Sequence, residues 1–301
     1  MLKSIFVGPQ GIRAGWRFLL FVLGGFALGR GLDWLITHPL GYHYSPGWNP
    51  YDFMIDGAST LAVAVFVAWV LSRIEHRKFE EYGLTRSGAF GGYFWQGVLW
   101  GFVPSVVIVL MIWAAGGATF HGWALSGRAL LISAASWAVA MLLLAFAEEF
   151  LYRGYSQYTL ATGMGFWPAA VLLSVVFGAI HYFLKPMESW RDGVSVGLYG
   201  LFRCLTVRRT GSLWFAIGFH AISDYTDMVI FAEPNTGNNG QPLPGHLFNV
   251  SYHGPDWLTG GPCGTEASAF VFLILTGLFL LFHRVYPPRA SGEVRIQIPA
   301  D

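Results

Sequence analysis

Charge is scarce in this sequence. Asp, Glu, Lys and Arg make up 12% of its 301 residues, about half the usual share in soluble domains. With a formal net charge of +1 there is no concentrated basic surface, so no nucleic-acid partner is expected. Cysteine is scarcer still. Cys204 lies in an apolar stretch and Cys263 in a loop; two such residues make no disulfide framework, and no bridge between them is expected. There is no internal repeat and no low-complexity tract. Residues 1–14 hold too few apolar side chains for a cleavable signal peptide, so the first apolar stretch is expected to remain as an anchor.

Apolar sequence fills the space that charge leaves. The chain is 54% hydrophobic and 17% aromatic, with a mean hydropathy of +0.49. That composition predicts an all-α, polytopic transmembrane bundle with lipid around it and no room for a second large soluble domain. A spanning helix needs about 20 mostly apolar residues. Eight segments fit: 15–37, 57–74, 92–115, 128–159, 165–184, 192–207, 212–231 and 267–286. The sixth is the weakest, being short, glycine-rich and interrupted by Arg203.

Basic residues set the expected topology, because they concentrate on the cytoplasmic side. With eight spans, thirteen Lys and Arg fall on one side, at the N-terminus, at 73–86, at 203–209 and in the C-terminal tail, against four on the other. Both termini are therefore expected in the cytoplasm of a cell-membrane protein. The 232–266 loop has neither Lys nor Arg, as expected outside, and its Pro, Gly and Asn predict irregular structure. Segment 74–90 mixes charges with Phe79, Tyr82 and Leu84; it reads equally as an amphipathic surface segment or a solvated loop.

The ionisable residues inside the apolar segments carry the functional signal, since burying them in lipid is costly. Glu148 and Glu149 are adjacent and point about 100° apart on a helix. Arg153, four residues beyond Glu149, is its natural ion-pair partner, which leaves Glu148 free to face a cavity. His181 has Phe177 one turn earlier on its face. The fourth and fifth spans turn back near Gly163 and Gly165, and at about 1.5 Å per residue this brings Glu148 level with His181. His220 and Asp224 share a face at i and i+4, with Asp227 extending it. A histidine and a carboxylate one turn apart suit a metal site or a hydrogen-bonded pair. The remaining histidines lie in loops or near span ends, where surface or headgroup roles are expected.

Glu148-Glu149-x-x-x-Arg153, Phe177-x-x-x-His181 and His220-x-x-x-Asp224, in that order on polar-bearing spans, closely resemble the three motifs of the CPBP intramembrane proteases. This family, also called Abi or CAAX-protease, includes the prenyl-protein endopeptidase that trims CAAX-box proteins. The resemblance implies an eight-helix peptidase with a water-filled cavity and a peptide or membrane-protein substrate, prenylated or not. By motif position, Glu148 would be the general base that activates water and His181 would hold that water. His220 and Asp224 would stabilise the oxyanion or share a metal site, and Glu149 and Arg153 would support the geometry. One zinc ion held by Glu148, His181, His220 and Asp224 would suit such a donor set. Asp224 departs from the prenyl-endopeptidase branch, where the last motif ends in Asn; an aspartate cannot donate to an oxyanion unless protonated. The chain then divides into N-terminal spans with an amphipathic cytoplasmic loop (1–127), a CPBP-type catalytic core (128–231), an external loop (232–266), and a last span with a cytoplasmic tail (267–301). Two other classes use the same residues: a transporter with a proton or cation relay, which lacks support from repeat symmetry, and a non-catalytic scaffold that binds membrane helices.

Overall fold

The computed structural model of the chain describes residues 5–8 and 11–288. Lys3, Arg289, Arg295 and the rest of the expected tail from 289 onward lie outside them. A two-residue strand pair, β1 (Val7–Gly8) and β2 (Gly11–Ile12), leads into α1 (Ala14–Thr37). There follow α2 (Pro50–Ile74), α3 (Gly92–Ala114), β3 (Ala118–Trp123) and α4 (Gly127–Glu149). A π-helical turn (Phe150–Ser156) carries α4 on into α5 (Gln157–Met164). Next come α6 (Phe166–Leu184), α7 (Trp190–Thr210) and α8 (Leu213–Asp224), which also passes into a π-helical turn (Tyr225–Ile230). Strand β4 (Phe248–Tyr252), the short α9 (Asp256–Thr259) and α10 (Ala269–Val285) complete the described chain.

Each of the eight segments read as a span is helical. Among the described residues, five helical stretches are long and apolar enough to cross a membrane: α1, α2, α3, the continuous 127–164 and α6. Helix α7 carries too many charges, α8 gives way to its π turn, and α10 has 17 residues. Helix α2 starts at Pro50 rather than 57, because Asn49 accepts from the backbone N–H groups of Tyr51 and Asp52 at 3.0 Å and Pro50 supplies a preset first turn. Gly165, at φ +83°, makes the turn between α5 and α6. Ser189 caps α7, Ser212 caps α8, and Gly211, at φ +69°, ends α7 just before that cap.

Close helix crossings hold the bundle. Helices α3 and α8 approach so nearly that a Cβ on Gly97 would stand 2.9 Å from the Phe215 carbonyl carbon, and one on Gly218 3.1 Å from that of Phe94. Small residues at such contacts let backbones meet where lipid gives no hydrophobic drive for association. Around them pack aromatic rings, Phe202 on Phe219 at 5.2 Å and Phe215 on Phe282 at 5.4 Å.

Two loop expectations need correction. Segment 74–90 is not a free solvated loop but is bound to the bundle and carries two 3-10 turns (Phe79–Tyr82 and Arg86–Gly88). Glu75 pairs with Arg17 of α1 and accepts from Tyr155 at 2.6 Å, while Glu81 accepts from Tyr158 at 2.6 Å. The 232–266 loop is not wholly irregular. Its β4 pairs antiparallel with β3, and Glu233 joins the loop's two ends by accepting from the Thr265 N–H at 2.9 Å and hydroxyl at 2.8 Å.

Candidate active site

The site forms where α4, α6, α7 and α8 meet. The helical offset separates the two glutamates as expected. Glu149 has no exposed side-chain surface, whereas Glu148 keeps 25% and lines a cavity of about 210 Å³. Glu149 Oε1 lies 3.3 Å from Arg153 Nη1, the i to i+4 pair read from the sequence. It also has two partners from distant elements, His220 Nδ1 at 2.8 Å and Arg203 Nε at 3.3 Å, the latter an ion contact outside hydrogen-bond alignment.

Arg203 is the residue the sequence reading misplaced. Counted there as a basic residue at the end of a span, it lies in the middle of α7, buried to 4% exposure, and lines the cavity. Its guanidinium directly after the uncharged run 193–202 was the available signal. Phe177 does more than mark a motif. Arg153 stands 4.7 Å and Arg203 5.2 Å from its ring centre, and His181 and Tyr152 pack on it at 4.5 and 4.9 Å. One ring thus braces both guanidiniums and the His181 imidazole.

Glu149 fixes the His220 tautomer. A carboxylate already facing two guanidiniums accepts only, so Nδ1 carries the hydrogen in that 2.8 Å contact. Nε2 is then turned to the cavity, 3.3 Å from Asp224 Oδ2 and 3.8 Å from Glu148 Oε2. His181 lines the same cavity, and its Nδ1 lies 2.9 Å from the Phe177 carbonyl. Lys185, Asp227 and Glu266 lie on the cavity wall as well. Burial raises the Glu266 carboxyl, which sits in the loop after α9, above its ordinary value.

The expected zinc set does not form. Among the described residues, no group of three His, Cys, Asp or Glu side chains is spaced to hold a metal ion. His220 Nδ1 is given to Glu149 and His181 Nδ1 to a backbone carbonyl, which leaves Nε2 as the open nitrogen of each ring, but these do not gather with Glu148 and Asp224 at metal-holding spacing. The cysteines are free and buried. Two of the four site helices change to π geometry directly after their site residues, α4 at Phe150 and α8 at Tyr225. Such turns cluster at functional sites, and nothing in the sequence signalled them.

Residues 130–226 match the family described as type II CAAX prenyl endopeptidase Rce1-like. No curated protein and no solved structure matches the chain. The matched stretch runs from α4 to the π turn after α8 and contains all three motifs. Over residues 130–226 the chain is therefore similar to the Rce1-like CAAX prenyl endopeptidase family, a family of membrane proteases.

Proposed function

We propose that the chain hydrolyses peptide bonds within the membrane using a water activated by Glu148 and held by His181. The observation that carries this reading is the unequal treatment of the two glutamates: Glu149 is neutralised by Arg153, Arg203 and His220, while Glu148 is left open to a cavity it shares with His181. A general base needs that access to water. Glu148 takes a proton from the water, and the resulting hydroxide attacks the substrate carbonyl. The Nε2 face of His220 meets the developing oxyanion, since Glu149 holds the ring in place through Nδ1. Asp224 accepts only; at 3.3 Å from Nε2 it orients and charges His220 rather than donating to the oxyanion. No step runs through a metal, because these donors do not gather around one. Glu148 then returns its proton to the leaving amine.

The family implies a membrane-associated peptide as substrate. A groove of about 630 Å³ opens between α1, α2 and α6 and reaches Tyr152, which packs on Phe177 at the cavity wall. That suits lateral entry of an apolar chain, and we assign a peptide ending in a prenylated CAAX sequence. We also place both termini in the cytoplasm, on the bias of Lys and Arg. The test is hydrolysis by the purified chain in liposomes of three matched peptides: a prenylated CAAX peptide, its unprenylated form, and a prenylated peptide with scrambled terminal residues. Cleavage of the first alone supports the assignment. Equal cleavage of all three removes the prenyl and CAAX specificity.

A further inference from the structure

A second groove shares no lining residue with the cavity. It holds about 710 Å³ and opens between α2, α4 and the segment after α2. Its apolar wall runs along α2 from Ala62 to Arg73, eleven residues and so roughly 16 Å of helix. That is about half the ~30 Å hydrocarbon core, the depth of one leaflet. The polar end carries Arg73 and Arg86, both exposed, and neither has a carboxylate partner among the described residues. Arg73 is held at the mouth by the Trp69 ring, 5.4 Å from its guanidinium carbon. Glu80 is the single acid lining the groove, which leaves an excess of one positive charge. Paired cations above an apolar slot of one acyl-chain length complement a lipid with net negative charge; the head of a zwitterionic lipid carries its own cation and gains less.

We infer that this groove binds an anionic diacyl phospholipid, its phosphate between Arg73 and Arg86 and one acyl chain along α2. The chain would rest on Phe146 and Trp214, whose rings meet edge to face at 5.2 Å. Phe146 precedes Glu148 by two residues on α4 and Trp214 precedes His220 by six on α8, so an occupied groove braces the crossing that carries the site.

Native mass spectrometry of the full chain tests this directly, with phosphatidylglycerol and phosphatidylcholine of identical acyl chains offered at equal concentration. The expected result is a preference for phosphatidylglycerol of about fivefold or more, lost in the Arg73→Ala/Arg86→Ala variant and kept in Arg128→Ala, whose exposed cation lies at the start of α4. An Arg73→Lys/Arg86→Lys variant keeps the charge and is expected to retain most of the preference. The alanine variant must melt at the wild-type temperature, as exposed positions allow. Equal binding of both lipids by the wild type, or an undiminished preference in a normally melting alanine variant, would overturn the assignment.

Discussion

Glu149 sits among two guanidiniums and an imidazole with no exposed surface, while Glu148, one residue earlier, opens a quarter of its side chain to the cavity. Their substitutions should therefore fail in different ways. Glu149→Gln leaves Arg153 and Arg203 buried without a counter-charge and is expected to cost about 3 kcal/mol, read as a lower melting temperature in detergent. Arg153→Ala should cost less than the Arg153→Ala/Arg203→Ala double variant, because Arg203 and His220 still face Glu149 in the single one. Chelator treatment is expected to leave the hydrolysis rate unchanged, since among the described residues no three such donors are spaced to hold a metal ion; loss of activity restored by zinc would contradict that. The Glu149–Arg153 pair was legible because i to i+4 geometry is local. The contributions of Arg203 and His220 to the same carboxylate were not, since they come from helices 54 and 71 residues away, and charge alone does not tell a buried partner from an interfacial anchor.

At the level of elements, the α3–α8 crossing depends on the absence of side chains. Gly97→Leu and Gly218→Leu would each drive atoms into the opposing backbone, and both are expected to abolish a monodisperse peak in gel filtration. Gly31→Leu in α1, where a Cβ would meet nothing within 4 Å, should behave as wild type. The 232–266 loop has a pH dependence of its own. Burial raises the Glu233 carboxyl from 4.5 to about 7 against two hydrogen bonds from Thr265. The folded chain then keeps a proton that the unfolded chain releases, so this group's contribution is fullest below about pH 4.5 and is lost as pH rises to about 7. The melting temperature should fall over that window, and Glu233→Gln should flatten the fall. Helices were legible here because apolar runs and the Asn49, Ser189 and Ser212 caps are written locally. The β3–β4 pairing was not, because six and five residues meet across more than 120 positions, and neither segment has a turn to announce its partner.

For the whole molecule, the helices hold a small cavity lined by charged side chains inside an apolar bundle. The position of the cavity was legible from three motifs and a hairpin depth count, because ionisable residues are rare enough in such segments to mark it. Its wall was not legible, since Arg203, Lys185 and Glu266 come from segments read as span end, loop and loop. A carrier or a passive scaffold could be built on the same helices, but neither needs Glu148 to act as a base. The decisive comparison is therefore the membrane peptidome of cells carrying the wild-type chain against cells carrying Glu148→Gln, with both chains present at equal level and melting alike. A peptidase working through Glu148 yields a defined set of fragments whose formation slows by at least about 100-fold in the variant. Identical fragment sets in the two cells would contradict it.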